Sequence, residues 1–169
     1  MKFLNVDCGL LHGNLRISSI FTTPSGEWKL GGYETLCSLK DDHPIFCLYS
    51  SRVAGLGKYF APETIKGRTR DYPPSATDGY AFGCLIYELF NGAFSKPDEL
   101  GNRGLIPTNL IEPFHALLNP NVSRRMDFSL FLEVTTRPGG YFNNDMIWIT
   151  SFLEEINIKE AHEKEQFLK

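Results

Sequence analysis

Near the start of the chain, "HGNLRISSIF" sets an imidazole, His12, beside an amide, Asn14, and a hydroxyl, Ser19. An imidazole moves protons near neutral pH, and amide and hydroxyl oxygens contact hard cations or phosphoryl groups. What such chemistry needs most is missing. No carboxylate falls within the stretch, and Asn14 is a neutral amide with no usable proton affinity. The other reactive side chains are scattered. Cys8, Cys37, Cys47 and Cys84 have no CxxC spacing and no histidine at metal-like offsets, which predicts reduced thiols packed as small hydrophobes and no bound metal. Lys58, Lys66, Arg68, Arg70, Arg124 and Arg125 fall in separate stretches of a chain with 17 basic and 20 acidic residues. That balance predicts a solvated surface of mixed charge rather than a nucleic-acid groove.

The elements that must carry these residues are legible to different degrees. Two β-prone runs, 17–23 and 27–30, flank "PSG" and predict a hairpin. Residues 33–60 lack sustained periodicity and read as a long loop. After Pro73 and Pro74, "SATD" predicts a helix start, with Ser75 as N-cap and Asp78 as an acidic capping-box partner. The run from 80 to 90 is apolar on nearly every face and ends at Gly92, so this helix belongs at the centre of the domain. Gly79 and Gly83 weaken it and predict close packing against neighbouring backbone. Further helices fit "NLIEPFHALLN" and "FSLFLEVT", and two helical patterns after "RPGGY" separate near Asn157. No apolar run reaches the ~18 residues of a membrane span. The N-terminus lacks the apolar core of a signal peptide, and the reading is a cytosolic chain.

The order of these pieces resembles the C-terminal lobe of a protein kinase. His12 and Leu15 fit the catalytic-loop pattern H-R-D-L-x-x-x-N, with Gly13 at the arginine, Asn14 at the catalytic aspartate and Ser19 at the metal-binding asparagine. Gly32, Tyr33 and Glu34 stand where D-F-G is expected, and "APE" is intact at Ala61, Pro62 and Glu63. "TDGYAFG" resembles the opening of the buried kinase helix, with Asp78 at its aspartate, and Arg125 matches the arginine that pairs with the APE glutamate. Together with "WKLGG", "GCLIYELFNG" and "FLEEINIKE", the pattern most closely resembles the SCY-like pseudokinases, also called N-terminal kinase-like proteins.

The resemblance implies a mainly α fold with a small β-hairpin, a kinase-like C-terminal lobe (α+β) over residues 1–140 with the N-terminal lobe absent. It also implies a helical junction over 141–169 toward a HEAT-type repeat region that the chain does not contain. Asn14, Ser19 and Gly32 are degenerate catalytic and metal positions, so neither phosphoryl transfer nor a bound cofactor is expected. Gly13 removes the guanidinium that would receive an activation-loop phosphate. His12 is expected to pack beside Tyr33, Glu63 to pair with Arg125, and Asp78 to accept catalytic-loop backbone N–H groups that hold it ionised. The implied function is a catalytically inactive protein-interaction scaffold, a cytoplasmic adaptor peripheral to Golgi membranes in coat protein I traffic between Golgi and ER. The alternatives are an adaptor with tRNA or tRNA-export partners, or a truncated regulatory fragment.

Overall fold

The computed structural model describes residues 1–168. Two short antiparallel pairs frame the N-terminal third. β1 (Leu10–Leu11) pairs with β4 (Cys37–Ser38), Leu11 opposite Cys37, and β2 (Ile20–Thr22) pairs with β3 (Trp28–Leu30). The helices are α1 (Ile45–Tyr49), α2 (Pro62–Ile65), α3 (Pro74–Asn91), α4 (Thr108–Leu117), α5 (Phe128–Thr136), α6 (Asp145–Glu154) and α7 (Ala161–Phe167). The fold is a mainly α, kinase-like C-terminal lobe.

α3 runs through the middle because both of its flanks are buried. One side meets Leu15, Leu56, Tyr59, Phe94 and Phe128, and the other meets Ile106, Leu110, Phe114, Leu117 and Phe131. This explains a helix apolar on nearly every face. Gly83 is where α4 comes closest: a Cβ there would lie 2.8 Å from Leu118 Cδ2. The helix thus trades local propensity for proximity.

Three local expectations need correction. α3 starts at Pro74, with Pro73 as its N-cap and no side-chain cap, so Ser75 does not cap it. Proline is well placed there, because its φ suits the first turn and its missing N–H would have had no partner. Residues 17–19 form a tight 3₁₀ turn rather than strand, and the hairpin begins at Ile20, with Gly26 at φ +85° in its turn. The 33–60 segment is a chain of short helical turns and β4, pinned at several points described below. At the other end, Tyr141 and Phe142 still pack on the α4–α5 core, whereas α6 and α7 bury no residue completely. Those two helices instead share an aromatic cluster, in which Phe152 and Phe167 stack 4.1 Å apart beside Trp148.

Candidate functional site

Asp78 is the pivot of the remnant loop. It is fully buried on α3 and accepts the backbone N–H of His12 at 2.8 Å and of Gly13 at 2.9 Å. The Asn5 side-chain amide donates to the same carboxylate at 2.7 Å, and also to Leu10 O at 2.8 Å. The helix thereby holds the loop by its backbone and by Asn5, not by a reactive side chain. Burial pushes the Asp78 carboxyl above the usual carboxylate range, against the pull of the three donors.

His12 is equally enclosed. Its ring meets Tyr33 edge to face, with centroids 5.2 Å apart, Nε2 lies 3.0 Å from Gly31 O, and Nδ1 accepts the Asn14 N–H at 3.2 Å. Those partners fit a neutral ring protonated on Nε2. Burial lowers its pKa, with Asp78 opposing. A ring so committed has no free nitrogen for substrate.

The degenerate positions come together and fill one another. Asn14 Nδ2 donates to Gly32 O at 3.2 Å and to Glu34 Oε2 at 3.0 Å, and Ser19 Oγ donates to Asn14 O at 2.6 Å. Gly32 sits at φ +77°, and a Cβ there would come within 2.6 Å of Ser19 Oγ and 2.9 Å of Asn14 Nδ2. The space an aspartate would need is occupied. Glu34 is the one carboxylate in this contact set, and its own backbone N–H and the Asn14 amide hold it below the usual range. It lies on the exposed side of that contact, paired to the amide. No cluster of three histidine, cysteine, aspartate or glutamate side chains suited to a metal ion occurs among the described residues.

Away from the loop, Glu63 and Arg125 form a bidentate pair at 2.5 and 3.0 Å, and Arg125 also donates to Ala76 O and Asn119 O. This ties α2 to the start of α3 and to the turn before α5.

A second buried polar knot was missed in the sequence. Glu88 of α3 accepts Lys58 Nζ at 2.7 Å and the Tyr59 hydroxyl, while Lys58 also donates to Phe94 O at 3.1 Å. Burial, then the Glu88 hydrogen bond, pushes the Tyr59 phenol far above its usual pKa. The clue was present: a glutamate inside "GCLIYELFNG" needs a partner. Beside α3, an apolar groove of about 680 Å³ opens between Leu15, Trp28, Phe82, Leu89, Phe131 and Phe142.

Comparison with known proteins agrees with this geometry. No family model matches the chain. It is 32% identical, over its whole length, to the probable inactive serine/threonine-protein kinase scy1 of Dictyostelium discoideum. It is 31% identical over 97% of its length to the protein kinase domain-containing protein ppk3 of Schizosaccharomyces pombe. It is also 31% identical over 99% to the mouse protein-associating with the carboxyl-terminal domain of ezrin. The chain is related to the SCY-like pseudokinases. It covers 20, 25 and 22% of those three relatives respectively. The remnant loop offers no base at Asn14 and no side chain at Gly32 to bind a metal. No helix among the described residues is long and apolar enough to cross a membrane.

Proposed function

We propose that this chain acts as a non-catalytic protein-interaction scaffold, an adaptor peripheral to Golgi membranes in coat protein I traffic between Golgi and ER. The observation that carries the scaffold reading is the contrast at the remnant loop. The contacts that shape the lobe, Asp78 to backbone and Glu63 to Arg125, are all made, while the positions for base and metal are filled by neutral groups packed on one another. Such a protein presents surface rather than chemistry. The trafficking role rests on the family resemblance, and the name of the mouse relative, which records association with another protein, is in keeping with a binding role.

In this reading residues 1–140 are the C-terminal lobe and 141–169 a junction toward helical repeats. The half-exposed Leu89 and the groove around it supply an apolar face on which other parts of a longer chain or a partner would pack. The roles of His12, Tyr33, Glu63, Asp78 and Arg125 are structural. The test is direct binding of purified coat protein I to the protein in its natural length, alongside a phosphoryl-transfer assay with magnesium and ATP. Retention of coat protein with no transfer is expected. Transfer that disappears on Asn14→Ala would overturn the non-catalytic reading, and absence of coat binding would overturn the trafficking role.

A further inference from the structure

Gly13 carries no guanidinium that could receive a phosphate from the 33–60 segment, and the structure holds a different device at the same place. Gly13 sits at φ +73°, and a Cβ added there would lie 2.5 Å from Phe46 Cδ2 and 3.1 Å from Phe46 Cε2. The ring of Phe46 therefore rests directly on the Gly13 backbone, in space any other residue would claim. Phe46 is 1% exposed, packed with Leu11, Cys37 and Leu39 and edge-on to Phe60 at 5.9 Å. Thr35 closes the same socket, donating from Oγ1 to His12 O at 2.9 Å.

The segment's remaining anchors lie on either side. Residues 37–38 pair with β1, and Arg70 donates to Leu39 O at 3.2 Å and Asp41 O at 2.9 Å. Toward the far end, Arg16 Nη1 donates to Ala54 O at 2.7 Å, and Tyr59 is held by Glu88. Between these anchors lies α1, and its deeply buried side chain is Phe46. Ile45, Leu48 and Tyr49 on the same helix remain about half exposed.

We propose that Gly13 and Phe46 form an apolar latch that closes the 33–60 segment on the remnant catalytic loop without covalent modification, so that the outer face of α1 is permanently formed. In a loop gated by phosphate, order follows a charge that is added and removed. Here it follows burial of one aromatic ring over a glycine, which no kinase or phosphatase changes. The inference stands apart from the trafficking role, because its test reads local order and not binding.

The experiment is amide hydrogen exchange on the full chain. Phe46→Ala is expected to raise exchange across residues 41–56 about tenfold or more while α3 and α4 stay protected. Gly13→Ala should do the same by displacing the ring. Gly9→Ala is the control, since Gly9 has φ +67° but nothing within 4 Å of a built Cβ, so it shares the backbone strain without the collision. In the Phe46→Ala background, Gly13→Ala should add far less than it does in the native chain, since only Thr35 Oγ1, 3.0 Å from a built Cβ, then remains close. If Phe46→Ala unfolds the whole chain, Phe46→Leu reads the same segment with a smaller increase. Phosphatase treatment of protein from its native cell should leave the pattern unchanged. The latch is overturned if Phe46→Leu or Phe46→Ala leaves 41–56 protected, if Gly13→Ala matches Gly9→Ala, or if dephosphorylation alone opens the segment.

Discussion

Breaking the Glu63–Arg125 pair tests the architecture most severely, because nearly every cost of the break is fixed by burial. The two side chains are 4% and 1% exposed, so water cannot replace a lost partner. Arg125 makes four hydrogen bonds, two to Glu63 and one each to Ala76 O and Asn119 O, and its guanidinium lies 5.3 Å from the Tyr80 ring centroid. Glu63→Ala removes both charge-assisted bonds and leaves a buried cation facing a void. Losing one partner of a buried pair costs about 3–5 kcal/mol. For a chain of this length that lowers the melting temperature by roughly 10 °C. Arg125→Ala should cost as much or more, since two backbone carbonyls also lose their donor. The double variant should cost clearly less than the sum, with a coupling of about 3 kcal/mol, because the second substitution removes a charge already orphaned by the first. Replacing both with Met should be milder than either single alanine. The assay is guanidinium unfolding followed by far-UV circular dichroism on the four members of the cycle. Single costs below about 1 kcal/mol, or additive costs, would refute the reasoning, since both would mean that the pair is solvated.

Three further outcomes are expected. Gly32→Asp should not recover a metal site: the new side chain starts from a left-handed φ and meets Ser19 and Asn14, so thermal unfolding should show a loss of about 1–3 kcal/mol and no stabilisation by magnesium and ATP. His12 gives a pH dependence of known sign. Its folded pKa is lowered by burial, so below the usual value of about 6.5 the unfolded chain binds the proton the folded chain refuses, and stability falls as pH falls. Relative to His12→Gln, the native chain should lose up to ~1.4 kcal/mol per pH unit below that point, and parallel urea-unfolding curves at each pH would show the assignment to be wrong. Tyr59→Phe should strip Glu88 of its hydroxyl donor and cost about 1–3 kcal/mol, whereas an unchanged denaturation midpoint would mean that the hydroxyl contributes nothing.

The sequence made the central helix legible because burial on both sides of α3 leaves the same mark along its whole length, an apolar run bounded by Pro73 and Gly92. Ser75 was misread for the opposite reason. "SATD" has the local form of a cap, but Asp78 is committed to backbone 65 and 66 residues away, and no local pattern announces that partner. The 33–60 segment looked irregular because its order comes from single long-range contacts: Phe46 on Gly13, Arg70 on the Leu39 and Asp41 carbonyls, Tyr59 on Glu88. Each leaves one residue of signal, below what periodicity detects. Gly13 and Gly32 were readable as losses of arginine and aspartate. That Phe46, Ser19 and Asn14 fill the space beside them was not, since a missing side chain says nothing about what stands in its place.

That packing bears on whether substitution could install the chemistry. Asp78 grips backbone N–H groups, so this anchor of the loop does not depend on a reactive side chain at 13 or 14. Phe46 lies over Gly13, and Ser19 and Asn14 crowd Gly32. A returning arginine or aspartate would now have to displace a buried ring or a hydrogen-bonded pair, and would do so from a left-handed backbone that disfavours any Cβ. Neither substitution alone rebuilds a site, since a base at 14 without a metal ligand at 32 stabilises no phosphoryl charge. Each step back toward catalysis is thus destabilising before it is useful.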